Sequence, residues 1–143
     1  MFMGEYDHSI DPKGRLIIPL KFRELLGDEI VITRGFEDCL FVYSKEEWAN
    51  VEETFRKAPQ YSAETRYFLR HFIAGACEVE IDKQGRALIP QKLREFAGLD
   101  KDVVLAGVIT KVEIWSKERW DNATGTEDIG EVAQKMAESG FVF

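Results

Sequence analysis

Arg15 and Arg86 each follow an aspartate by four residues, in Asp11-Pro12-Lys13-Gly14-Arg15 and in Asp82-Lys83-Gln84-Gly85-Arg86. A guanidinium is a planar fork of donors that clamps phosphate or makes two hydrogen bonds to guanine O6 and N7. Lys13 and Lys83 add a more mobile point charge to each segment. Aspartate at the first turn position and glycine at the fourth suit a type I turn closed by a residue with positive φ. Asp11, Gly14, Asp82 and Gly85 are therefore read as turn-shaping, and Lys13, Arg15, Lys83 and Arg86 as the groups left to bind. The competing reading is an exposed Asp–Arg ion pair that only holds the turn. Such a pair contributes about 0 to 1 kcal/mol, which leaves the repetition of this loop chemistry unexplained.

Other side chains offer less. No nucleophile with a base, no phosphate-cradling glycine loop and no carboxylate pair outside solvated helices argues for catalysis. The expectation is a protein that is not an enzyme, with no cofactor and no small-molecule substrate. His8 and His71 lack a second ligand at metal spacing, so no metal is assigned. Cys39 and Cys77 fit no zinc or redox pattern and read as small buried hydrophobes in a reducing compartment. Trp48, Trp115, Trp120, Phe36 and Phe41 have faces on which bases stack, but their hairpin and helix positions favour core or interface anchoring. Lys21, Arg23, Lys92 and Arg94 are read as the solvated outer faces of short helices.

The elements that must present the arginines are written twice. Pro19, Lys21, Arg23 and Gly27 recur as Pro90, Lys92, Arg94 and Gly98, and the correspondence runs on through Gly35/Gly107, Ser44/Ser116 and Trp48/Trp120. Each copy reads as strand (5–10 and 76–81), basic turn, strand (15–18 and 86–89), short helix (20–26 and 91–97) and two further strands. Those are 29–33 with 40–43 in the first copy and 102–107 with 112–115 in the second. The turns are expected to close hairpins, with an arginine at the root of each loop. Pro19 and Pro90 suit the first helical position, and Gly27 and Gly98 cap the ends. Phe22, Leu25 and Leu26, like Leu93, Phe96 and Ala97, form the inward stripes. Ser44 with Glu47 is a capping box for a helix to about 57, and Ser116 starts its counterpart. Further helices are expected over 63–72 and 126–139, the latter with Ile129, Val132, Ala133 and Met136 on one face.

A unit of roughly 45 residues buries too little surface to fold alone, so the copies are expected to fold against each other. Two copies are too few for a solenoid. The formal charge of −7 would repel nucleic acid on average. The acid, however, gathers at Glu46, Glu47, Glu52 and Glu53 and in the tail, while the repeated segments are locally positive. Beyond a Debye length of about 8 to 10 Å, local field outweighs net charge. No apolar run approaches the roughly 20 residues of a membrane span, and no basic-then-apolar leader opens the chain, so no membrane partner and a cytoplasmic location are expected.

Strand, Asp-x-x-x-Arg turn, strand, Pro, short helix and Gly, twice in one chain with helices between, resembles the MraZ family of bacterial transcription regulators, within the AbrB-like swapped-hairpin group. The resemblance runs from Met1 through Trp120. It implies an α+β fold: a double-split β-barrel from two tandem ββαββ units, with added helices between the units and at the C-terminus. The implied division is 5–48 and 76–120 as DNA-binding units, 49–75 as helical connector and 121–143 as helical tail. It further implies a sequence-specific, nucleoid-associated regulator of double-stranded DNA with repeated boxes, upstream of the division and cell-wall gene cluster, acting as a ring-shaped homo-oligomer. Carried over residue by residue, the motif is Asp11 with Arg15 and Asp82 with Arg86. The lysine sits one place earlier in the second turn, so the two loops are free to read different features of a site. The alternatives are an antitoxin-like DNA-binding protein whose C-terminal helix grips a partner protein, and a purely structural interaction module.

Overall fold

Period-two alternation and the proline and glycine punctuation set most element boundaries in the computed structural model, which describes residues 1–142. The first copy contains β1 (Phe2–Ser9), β2 (Arg15–Ile17), α1 (Leu20–Leu26), β3 (Glu29–Arg34), β4 (Leu40–Ser44) and α2 (Lys45–Arg56). After α3 (Ala63–Phe72), the second contains β5 (Cys77–Glu80), β6 (Arg86–Leu88), α4 (Gln91–Ala97), β7 (Asp102–Ile109), β8 (Val112–Ser116) and α5 (Lys117–Ala123). The helix α6 (Ile129–Glu138) follows. Ser44 and Ser116 cap α2 and α5 by accepting from the Glu47 and Arg119 amides, each at 3.1 Å. Asp128 does the same for α6, which therefore begins later than residue 126. No helix among the described residues is long and apolar enough to cross a membrane.

The fold is mixed α+β, with a six-stranded antiparallel sheet in the order β1-β7-β8-β4-β3-β5 and a separate two-stranded ribbon of β2 and β6. Both strands of the first half of each copy pair with the other copy: β1 with β7, β5 with β3, β2 with β6. The hairpins expected across the basic turns are therefore reduced to single bridges, Ile10 to Leu16 and Ile81 to Ala87. The ladder bonds that a local hairpin would have formed are made instead between copies. Exchange also explains why β1 begins at Phe2 rather than residue 5, since Phe2 is held opposite Ile109.

Sheet faces divide the core. On one side, Ile30, Ile32, Leu40 and Val42 pack with Leu16 and Ala87 of the ribbon and with Phe22 and Leu93 of the short helices. On the other, Val31, Phe41 and Tyr43 meet Trp48 of α2, Phe72 of α3 and Trp115 of β8. Strands β3 and β4 are thus buried on both faces, which is why they read as unbroken apolar runs. Cys39 lies free in the second cluster, where burial pushes its thiol up to about 12. Cys77 is free and only half-buried.

Two local expectations need correction. Leu25 does not face inward: it is 48% exposed, while Phe22 and Leu26 carry the packing of α1. Phe22 and Leu26, four residues apart, lie one above the other on the inward face, and Leu25 is turned about 100° away from Leu26 around the helix axis. Pro19 and Pro90 stand one place before the first helical residue, at the N-cap, with extended ψ values of 140° and 143°. Their carbonyls already accept the first helical bonds, from Arg23 at 3.0 Å and Arg94 at 3.0 Å.

Candidate nucleic-acid interface

Both basic turns close with the same set of bonds. In the first, the Gly14 amide donates to the Asp11 carbonyl at 2.9 Å, and Gly14 takes φ of 88°. Asp11 Oδ1 accepts from the amides of Lys13 and Arg15, each at 2.9 Å, and Oδ2 from Arg15 Nε at 2.7 Å. In the second, Gly85 takes φ of 80°, and its amide donates to the Asp82 carbonyl at 2.9 Å. Asp82 Oδ1 accepts from Gln84 and Arg86, and Oδ2 from Arg86 Nε, all at 2.9 Å. Replacing Pro-Lys by Lys-Gln leaves the turn's hydrogen bonds in place, because the aspartate carboxylate organises the loop through amides that any residue but proline supplies. The Arg15 and Arg86 amides, ahead of the guanidiniums, hold the Asp11 and Asp82 carboxyls below their usual range.

Of each arginine's guanidinium, the aspartate thus engages only Nε. The outer guanidinium nitrogens of Arg15 and Arg86 remain to bind something else, and both side chains are about one-third exposed, at 33% and 28%. The ribbon sets their relation. Arg15 lies opposite Leu88, Leu16 opposite Ala87, and Ile17 opposite Arg86. Leu16 and Ala87 point into the core, so Arg15, Ile17, Arg86 and Leu88 share the outer face. Lys13 and Lys83 sit exposed on the loops at either end.

Arg23 and Arg94 were expected on a solvated helix face and are half-buried instead. Because β2 runs antiparallel to β6, the helix after each strand begins beside the other copy's turn. Ile18 donates to the Gly85 carbonyl at 2.9 Å, and Ile89 donates to the Gly14 carbonyl at 2.8 Å. Arg23 Nε donates to the Ile18 carbonyl and Arg94 Nε to the Ile89 carbonyl, each at 2.9 Å. The guanidiniums then lie over the opposite glycines: a Cβ on Gly14 would come within 2.8 Å of Arg94, and one on Gly85 within 2.7 Å of Arg23. Each turn glycine is therefore required twice, for its positive φ and for the room an arginine occupies. The signal in the sequence was the recurrence of Pro-x-x-x-Arg, as Pro19 to Arg23 and Pro90 to Arg94. Lys21 and Lys92 are exposed.

Aromatic residues lie elsewhere. Trp48, Phe41 and Trp115 are buried, and Trp120 packs edge-on against Trp115. Phe36 is mostly exposed but rests on Phe41, Phe68 and Phe72. His71 Nε2 lies 2.9 Å from the Gly35 carbonyl, and no group of three metal-ligating side chains forms among the described residues.

A family model described as "MraZ protein, putative antitoxin-like" matches this chain twice, over residues 1–71 and 72–137. The chain belongs to the MraZ family. The double match coincides with the doubled Asp-x-x-x-Arg turn described above. Relatives match end to end. A transcriptional regulator MraZ of Acetivibrio thermocellus is 54% identical over 142 residues, covering 98% of this chain and 99% of its own. Another, from Lachnoclostridium phytofermentans, is 52% identical over 143 residues and covers 100% of both chains. A third, from Caldicellulosiruptor saccharolyticus, is 52% identical over 142 residues, 98% of this chain and 99% of its own.

Proposed function

We propose that this MraZ-family chain is a sequence-specific, double-stranded DNA-binding transcriptional regulator without enzymatic activity. The observation that carries this reading is the shared outer face of the ribbon, where Arg15 and Arg86 stand between two identically built turns with outer nitrogens unpaired among the described residues. The relatives' name, transcriptional regulator, supports it. A two-stranded antiparallel ribbon fits the major groove, and the guanidiniums would take guanine edges while Lys13 and Lys83 take flanking phosphates. Asp11, Gly14, Asp82 and Gly85 hold the turns in that shape.

The finer picture is part of the same proposal. The sheet and ribbon together form a double-split β-barrel, divided into units 5–48 and 76–120, a connector 49–75 and a tail 121–143. The interleaved pairing of the copies supports it. The protein acts in the cytoplasm, at the nucleoid, as a ring-shaped homo-oligomer on repeated boxes upstream of the division and cell-wall gene cluster. A single ribbon makes few contacts, and linked copies convert later contacts into intramolecular ones, raising avidity by about 10² to 10⁴. A second reading is favoured by α6, an amphipathic helix with no buried residue: an antitoxin-like protein whose tail grips a partner.

Retardation of a duplex from the region upstream of the protein's own gene tests the reading. Arg15→Ala and Arg86→Ala should each abolish retardation while shifting stability by no more than about 1 kcal/mol. Affinity should fall with salt at a log-log slope of about −0.9 per phosphate neutralised. Normal binding by both variants defeats the proposal, and a flat salt response points to a protein partner.

A further inference from the structure

Ile17 and Leu88 are 46% and 53% exposed at the centre of the ribbon's outer face. Single exposed apolar residues are ordinary on a protein surface. These two occupy equivalent places in the two copies, each directly across from the other copy's arginine: Leu88 opposite Arg15 and Ile17 opposite Arg86. The face is a chequerboard of two guanidiniums and two branched aliphatic side chains, with the inward Leu16 and Ala87 fixing which way it points.

Cross-strand neighbours in such a pair stand about 4.5 to 5.5 Å apart at Cβ. Successive bases along a DNA strand rise about 3.4 Å. An arginine on one base pair therefore places its apolar partner over the adjacent pair or the one beyond. In the major groove the only apolar group on a base edge is the C5-methyl of thymine. Water over an exposed isoleucine and water over that methyl are both released when they meet, at no cost in unpaired polar groups.

From this arrangement we infer that Ile17 and Leu88 are specificity residues that read thymine methyl groups beside the guanines taken by Arg86 and Arg15. The inference rests on the ribbon being the DNA-facing surface. It adds to that reading an apolar discrimination that the guanidiniums cannot supply. The pairing is reciprocal, so each chain should read its guanine and thymine steps in inverted order on the two halves of one contact.

The test uses duplexes selected from a random library by the full-length protein, and the same duplexes with deoxyuridine in place of individual thymines, which removes only the methyl. At one or two thymines next to a guanine, the replacement should weaken binding about four-fold, the factor that one buried methyl contributes. Ile17→Ala and Leu88→Ala, with thermal transitions like that of the parent, should bind the thymine duplex more weakly and lose sensitivity to the replacement. Equal sensitivity in parent and variants, or none in the parent, overturns the inference. So does a change of solution mass in the variants without a change in methyl response, because a second copy would then cover this face. Arg15→Ala separates the two levels. If it abolishes binding while deoxyuridine is neutral, only the methyl reading fails; if no duplex is selected, the DNA reading fails with it.

Discussion

The two copies agree at their turns and disagree in the helices that follow their last strands. Turns with the unlike sequences Asp-Pro-Lys-Gly and Asp-Lys-Gln-Gly hold the same hydrogen bonds, each covered by an arginine from the other copy. Beyond the strands, α2 seats Trp48 against Tyr43 and Phe72 in an aromatic cluster completed by α3. The corresponding α5 buries no residue, and Trp120 only leans on Trp115. Divergence shows in the parts that build bulk and in strand length, β1 running over Phe2–Ser9 where its counterpart β5 covers only Cys77–Glu80. The part that is copied faithfully is the ribbon and its turns, where each copy completes the other and neither can drift without disturbing both.

The largest expected effect breaks that contrast at the helices. Trp48→Ala should cost about 3 to 5 kcal/mol by denaturant unfolding, as for other fully packed aromatics, and Trp120→Ala clearly less. Equal losses would mean that α5 is as integral to the core as α2. Next in size, Gly14→Val and Gly85→Val should each cost about 1 to 3 kcal/mol, because a β-branched residue is strained at positive φ. Each also displaces the arginine lying on it, Arg94 or Arg23. Thermal unfolding that separates the two variants widely would show that the turns are not equivalent.

The smallest effect concerns acid. The Asp11 and Asp82 carboxyls are held below the ordinary 3.8 in the folded chain. A depressed carboxyl contributes stability above the unfolded value, and that contribution is lost as pH falls through the folded value. Asp11→Asn and Asp82→Asn should therefore flatten the acid limb of the stability profile below about pH 4, to the same extent in each variant. A limb that responds to only one of them would mark that turn as the one under electrostatic load.

Much of this was legible in the chain because local chemistry dictates it. Alternation marked the strands before the turns and unbroken apolar runs those of the sheet centre, serine and glutamate the cap of α2, and aspartate with glycine the turns, each depending only on residues a few places apart. The small size of each repeated unit foretold that the copies would fold against each other. What the turns join was not legible. An Asp-to-Gly turn between two alternating segments favours a local hairpin, but the pairing of β1 with β7 and β2 with β6 seats Phe2, Leu16 and Ala87 in one core shared by both copies. Arg23 and Arg94 were misplaced for the same reason. The turn that each one covers belongs to the other copy, and no spacing within one copy brings Arg94 to Gly14. Sequence alone determined the shape of each basic turn, because one carboxylate and one glycine close it locally. Tertiary structure alone decided that two turns flank one ribbon with arginines and aliphatic residues alternating on its outer face, because that depends on long-range strand exchange.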